Sequence, residues 1–226
     1  MRWLVIPIFL ILVSCSGLRE VQVTEVNWDI ESTTQSVALL IVKIPYELNG
    51  TEYLGTAAGS GVFISEDTIL TARHVVVDAR EIFVHFGDLE AKGTVAQIGS
   101  GYPQDWAVVK LDKTLGGRPV KFRKEVAHKW EPCMAVGHAL GLDHPTVTFG
   151  NIQDSLGNLL RISSPIIFGN SGGGVFIRDT KGEVVLAGLT VAGFPSGGQF
   201  ITHMGIAAEI HDILEQLLEK PLHYSR

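Results

Sequence analysis

The sequence predicts an all-β protein, a sandwich or barrel of many short strands closed by one helix. Three observations carry this. From Ser36 onward the chain divides into short runs rich in β-branched and aromatic residues, bounded by turn signals. Its 25 glycines sit mostly between those runs, and they make up about 11% of the chain against a usual ~7%. Helical spacing is clear only near the end, in Ala207–Glu219.

The elements follow in order. Arg2 gives a positive start, and Trp3–Val13 is an uncharged apolar run of 11 residues, well short of the ~20 that a spanning helix needs. Small residues follow at Ser14–Gly17. That order predicts an export signal over residues 1–14, excluded from the fold. Residues 15–35 are polar and weakly patterned, which suits a tether or N-terminal arm. Strands are then expected at Val37–Ile44, Gly61–Ile64, Glu81–Phe86 and Ala107–Leu111, with Asn49-Gly50 as a two-residue hairpin turn. Gly116-Gly117-Arg118-Pro119 falls near the midpoint and reads as a linker between two halves. A second series follows at Cys133–Val136, Thr146–Ile152, Leu159–Ile162, Gly174–Ile177, Val184–Val191 and Phe200–Gly205. In the closing helix, Ile210, Ile213, Leu214, Leu217 and Leu218 fall on one face.

Composition excludes several functions. Net charge is −6 with 18 Lys and Arg against 24 Asp and Glu, and no basic cluster appears, so nucleic acid is not an expected partner. Two cysteines, Cys15 and Cys133, cannot staple a disulfide scaffold. His138, Asp143 and His144 lack a recognisable zinc-ligand spacing, and no metal or cofactor is expected.

The chemistry is concentrated in Gly169-Asn170-Ser171-Gly172-Gly173-Gly174. A serine flanked by glycines sits where the backbone turns sharply and its amides can converge on one point. Acyl transfer needs that arrangement: a weak nucleophile beside N–H donors for an oxyanion. His74, in Thr71-Ala72-Arg73-His74-Val75, is the best base. Asp105, at the mouth of the apolar run Trp106–Leu111, is the best acid to orient it. Asp78 is close in sequence to His74 but weaker, and Asp88 reads as a turn residue. His85, His128, His138, His144, His203, His211 and His223 lack a comparable setting.

The order His74, Asp105, Ser171 resembles that of the chymotrypsin-fold serine proteases, most closely the bacterial Deg/HtrA-type branch. The resemblance runs from about Ser60 to Leu217. It includes Gly59-Ser60-Gly61-Val62-Phe63-Ile64, Asp105–Leu111, Ala135-Val136-Gly137-His138, Thr146–Gly150, Gly169–Gly173 and Gly188–Ala192. It implies two six-stranded antiparallel β-barrels within a domain at 36–226: a first barrel at about 36–114, a second at about 119–206, and a helix at about 207–219. It also implies a catalytic triad of His74, Asp105 and Ser171, and an oxyanion hole of Gly169 and Ser171 N–H groups aided by Asn170. The primary pocket would be bordered by Ile166 and Val191–Gly193, and the substrate would lie extended along Thr190-Val191-Ala192. With no acidic residue at that border, cleavage after small or medium apolar residues is expected. Val75 replaces the cysteine that follows the histidine in digestive relatives. Asn170 stands where zymogen-activated relatives carry Asp, so activation by cleavage is not expected. The peptide-binding domain that usually follows in this branch is not expected after Leu217.

Leu12-Val13-Ser14-Cys15 resembles the bacterial lipoprotein processing box, which implies lipidation at Cys15 and attachment to a membrane through that anchor. Ser16 in place of Asp favours the outer membrane of a two-membrane host. Polypeptides are the implied substrates. Two other readings compete. Gly169-x-Ser171-x-Gly173 fits the α/β-hydrolase elbow, but that fold places its acid and histidine after the serine. The second is a catalytically silent fold of the same class that binds extended peptides.

Overall fold

The computed structural model describes residues 28–196 and 199–219. Its strands are β1 (Val37–Leu48), β2 (Thr51–Ser65), β3 (Thr68–Thr71), β4 (Glu81–Phe86), β5 (Leu89–Ile98) and β6 (Ala107–Leu111) in the first half. The second half holds β7 (Pro132–Gly137), β8 (Thr146–Leu156), β9 (Leu159–Ile162), β10 (Gly174–Arg178), β11 (Val184–Ser196) and β12 (Gln199–Glu209). Each half closes into a barrel: β1-β2-β3-β6-β5-β4, then β10-β11-β12-β9-β8-β7. Read from their first strands, the two barrels share one connectivity, although no repeat is visible in the sequence. The predicted all-β class and its two six-stranded antiparallel barrels are what the chain forms.

Local chemistry explains the main features. Asn49 and Gly50 both take positive φ, 53° and 76°, the conformation of a type I′ hairpin turn whose twist matches the strands. The turn zips Leu48 to Thr51 and, beyond it, Val37 to Val62, so the second strand begins ten residues before the expected Gly61. Bulges at Phe63/Ser65 and Val95/Gln97 bend the first barrel closed. Its core includes Leu40, Phe63, Ile69, Leu70 and Trp106, all buried, and Ile152, Leu160, Ile162 and Ile177 fill the second.

Three short or irregular parts place the site. Helix α1 (Ile30–Thr34), capped by Asp29, lies in the stretch expected to be a tether or N-terminal arm. Here it is folded onto the barrels: the Gln35 and Ser36 carbonyls accept from Arg118 N–H and Phe63 N–H, and the Trp28 ring lies 6.0 Å from Phe149. Helix α2 (Arg73–Val76) follows β3. Helix α3 (Ile210–Glu219) starts three residues later than expected, because Ala207–Glu209 remain in β12 and pair with β9 and β11. It buries Ile210 and Ile213, leaves Leu218 exposed, and its Gln216 accepts from the Trp106 indole at 3.0 Å. Among the described residues no helix is long and apolar enough to cross a membrane. The export signal and Cys15 lie outside the described residues.

Candidate active site

The site forms where the two barrels meet. Helix α2 presents His74, and Asp105 sits two residues before β6. The His74 Nδ1–H donates to Asp105 Oδ2 at 2.6 Å, and the His74 backbone N–H donates to Oδ1 at 2.9 Å. One carboxylate thus fixes both the ring and the chain that carries it. With Nδ1 committed as donor, Nε2 is the free acceptor of the ring. Burial alone would raise the Asp105 carboxyl. The hydrogen bond and charge of His74, its backbone N–H and the Arg73 charge outweigh that and hold it below its ordinary value of 3.8.

Ser171 comes from the turn between Phe168 and β10. It lines one cavity of about 330 Å³ with His74, Gly169, Phe168, Val75, Val42, Ile44, Ala57 and Ala58. The turn is over-determined. Gly172 has φ +83°, and a Cβ there would lie 2.2 Å from the Ser60 carbonyl. Gly172 N–H donates to Thr190 O at 2.7 Å, Thr190 N–H donates to Gly173 O at 2.8 Å, and Ser60 N–H donates to Ser171 O at 2.7 Å.

The amides of this turn are aimed from outside it. The Leu140 N–H, in the 3-10 turn Ala139–Gly141, donates to the Phe168 carbonyl at 2.6 Å. In a planar trans peptide the N–H points opposite to the C=O, so the Gly169 N–H is turned away from Leu140. Gly169 takes φ +89°, and a Cβ on it would sit 2.3 Å from His138 O. Its carbonyl accepts from Ser60 Oγ at 2.7 Å, and that hydroxyl accepts from His138 N–H at 2.7 Å. Among the described residues, neither the Gly169 nor the Ser171 N–H has an acceptor. Two unpaired donors beside a serine are what a developing oxyanion requires.

Two neighbouring backbones are tied into the same turn. Asn170 N–H closes a turn onto Ile167 O at 3.1 Å and its side chain is buried, so its backbone donor is not available to an oxyanion. Thr190 uses its N–H and one lone pair of its carbonyl in the nucleophile turn, and the carbonyl keeps a second lone pair for a further donor. Val191 is buried and forms a bulge between Thr190 and Ala192; Ala192 and Gly193 continue the strand opposite Ile206 and Gly205. Ile166 is buried where a Cβ on Gly205 would lie 2.5 Å from it.

Sequence reasoning gave no role to Ser60, Leu140 or Phe168. Ser60 had a signal, lying between two glycines in a quoted motif. Leu140 had none, since it acts through its backbone. Other candidates fall elsewhere: Asp88 is in the turn between β4 and β5, His85 pairs with Glu90, and the His211 ring bonds the Lys124 carbonyl. No group of three or more His, Cys, Asp or Glu among the described residues is placed to hold a metal ion. A second cleft, about 460 Å³, is lined by Asp29, Arg118, Lys121, Arg178 and Glu183 among others, and contains no member of the site above.

Comparison with known proteins agrees with this fold. Residues 59–187 match the family model described as "Trypsin-like peptidase domain". A protein of Ectopseudomonas mendocina, "Probable periplasmic serine endoprotease DegP-like", is 34% identical over 174 residues, covering 71% of this chain and 35% of that protein. One of the same description from Pseudomonas fluorescens is 40% identical over 144 residues, covering 56% and 28%. The chain thus spans about a third of the length of these relatives. Among solved structures, the Rv3671c protease from M. tuberculosis in its active form superposes with a TM-score of 0.69 at 20% identity, over 87% of this chain and 85% of that one. The HtrA-type protease AlgW with decapeptide gives 0.67 at 24% identity, over 84% and 65%.

Proposed function

The chain belongs to the trypsin-like peptidase family, and from that membership we propose that it is a serine endopeptidase acting on extended polypeptide segments. The observation that carries this reading is the His74–Asp105 pair at 2.6 Å in the wall of the cavity that also holds Ser171. Ser171 Oγ attacks the scissile carbonyl while His74 Nε2 takes its proton. The C–O bond forms, the carbonyl electrons move to oxygen, and the Gly169 and Ser171 N–H groups receive the charge. His74 then gives the proton to the departing amine, leaving an acyl-enzyme that water cleaves by the same steps. Asp105 holds the ring in the tautomer that accepts at Nε2 and balances the imidazolium. Ile166 and Val191, buried and apolar, support acceptance of small or medium apolar side chains at the cleaved position, with Thr190-Val191-Ala192 as pairing edge.

The fluorophosphonate reaction tests the reading. Wild type is expected to label and Ser171→Ala is not. A folded wild type that fails to label would leave the silent peptide-binding alternative in its place. A peptide library cleaved mainly after Arg or Lys would refute the specificity.

The same proposal places the enzyme outside the cytoplasm, lipid-anchored at Cys15, with the outer membrane favoured in a two-membrane host. The export-like order of residues 1–14 supports this, as do relatives named as periplasmic. Incorporation of a radioactive fatty acid into wild type, and none into Cys15→Ala, is the expected outcome.

A further inference from the structure

The second cleft, about 460 Å³, is of the size that holds a small molecule, and none of His74, Asp105 and Ser171 lines it. Its lining comes from helix α1 and its flanks, the chain between Arg118 and Lys121, and the β10–β11 hairpin, so it spans both halves of the molecule. These parts are fixed by backbone bonds. Arg118 N–H donates to Gln35 O at 2.8 Å, Val120 N–H to Phe63 O at 2.9 Å, and Leu186 N–H to Lys121 O at 2.8 Å. The hairpin turn is closed by Gly182 N–H on Asp179 O and Asp179 N–H on Glu183 O, both at 2.9 Å. The cleft is therefore preformed.

Its charge is opposite to that of the chain. Arg118, Lys121 and Arg178 line it against two carboxylates, Asp29 and Glu183, an excess of one positive charge on a chain of net charge −6. Both carboxylates are engaged: Glu183 accepts from Lys121 Nζ through each oxygen at 2.8 Å, and Asp29 accepts from Ser32 N–H at 3.2 Å. The arginines are held but not neutralised. Arg178 Nε–H donates to Gly182 O at 3.0 Å. Gly182 has φ +81°, and a Cβ there would lie 2.8 Å from Arg178 Nη2, so the turn seats the guanidinium and leaves its Nη groups to the cleft. Arg118 is exposed, and its guanidinium has no partner among the described residues. A guanidinium fork matches the oxygens of a phosphate group in pairs, and the Ser32 and Ser36 hydroxyls of the same lining add neutral donors. We propose that this cleft binds a phosphate group, held by Arg118 and Arg178 and bridging the two halves of the chain. Its occupancy does not depend on whether Ser171 reacts.

The test is calorimetric titration of the full chain at constant ionic strength with two probes. One is inorganic pyrophosphate; the other is glycerophosphoglycerol, a diester with the single charge of a lipid headgroup. One ligand per chain is expected. Arg118→Gln and Arg178→Gln are each expected to weaken binding about tenfold, the loss that removing charged hydrogen bonds brings. Lys113→Gln, an exposed cation outside the cleft, is expected to leave it unchanged. Saturating ligand is also expected to raise Tm in wild type and not in the double arginine variant, because only the folded chain brings both arginines together. Tighter binding of pyrophosphate assigns the site to a soluble phosphate, and tighter binding of the diester assigns it to a lipid headgroup; the site stands in either case. If Arg178→Gln disturbs the hairpin by circular dichroism, Arg118→Gln decides alone. Failure of both probes to bind at millimolar concentration overturns the proposal, as does an affinity unchanged in Arg118→Gln. An equal loss in Lys113→Gln also overturns it, since binding would then follow net charge and not the cleft.

Discussion

Ser60 carries more of the site than its size suggests. Its hydroxyl is buried and links the His138 N–H to the Gly169 carbonyl, while its own N–H and C=O hold Ser171 O and the Thr71 hydroxyl. Ser60→Ala leaves two buried backbone groups unpaired, at roughly 1–3 kcal/mol each. The expected outcome is a melting temperature lower by several degrees and kcat reduced about tenfold or more, with KM little changed. Ser60→Thr should restore part of kcat; a variant that loses stability alone, with kcat intact, would remove Ser60 from the positioning of Gly169. Cys133 makes the opposite case of a residue expected to be inert. Burial pushes its thiol up to about 11, with the Ser164 hydroxyl opposing and Glu131 adding to the rise. Iodoacetamide at pH 8 is expected to leave Cys133 unmodified in the folded chain and to modify it in denaturant.

At the scale of elements, the turn after β7 and the nucleophile turn act as one unit. Burial lowers the His138 imidazole below its ordinary value of 6.5, and His144 adds to this, while the Leu142 and Val37 carbonyls and Asp143 oppose it. The folded ring therefore refuses a proton that the unfolded chain accepts. Stability from this source is complete above pH 6.5 and is lost as pH falls through the lower folded value. Thermal melts from neutral pH down to about pH 5 are expected to fall less steeply for His138→Asn than for wild type. The nucleophile turn tolerates less. Gly172→Ala brings a Cβ to 2.2 Å from the Ser60 carbonyl at a positive φ, so a loss of about 3 kcal/mol or more is expected. Denaturant unfolding measures it, and a near-neutral Gly172→Ala would show that the turn relaxes freely. The expected elements that shifted did so for tertiary reasons. Two strands, β3 and β5, were not expected at all: β3 is only four residues long, and β5 has an irregular, half-exposed pattern, so neither has a clear apolar period. Ala207–Glu209 carry helix-forming residues yet stay in strand, because β9 and β11 flank them.

Over the whole molecule, the two barrels are joined by more than the linker. One apolar cluster runs from Leu40 and Trp106 of the first barrel to Phe176, Leu189 and Ile213 of the second half, and the Ser60 bonds cross between them. Tryptophan fluorescence and far-UV circular dichroism are therefore expected to report one coincident unfolding transition; separated midpoints would mean that the halves unfold independently. The strand pattern apart from β3 and β5, the Asn49-Gly50 turn and the order of His74, Asp105 and Ser171 were all legible in the sequence. Each depends on local chemistry: a period of two, positive φ, and residue types that only certain reactions need. The sequence by itself determined an all-β chain, and its spacing of motifs marked where the reacting groups lie. The tertiary structure alone decided the direction of the Gly169 N–H, the commitment of Thr190 and Asn170 to the turn, and the folding of Asp29–Gln35 onto the barrels. Those outcomes depend on hydrogen bonds between residues distant in the chain, such as Leu140 to Phe168 and Ser60 to Gly169, and a hydrogen bond across the fold leaves no period or spacing in the sequence to read.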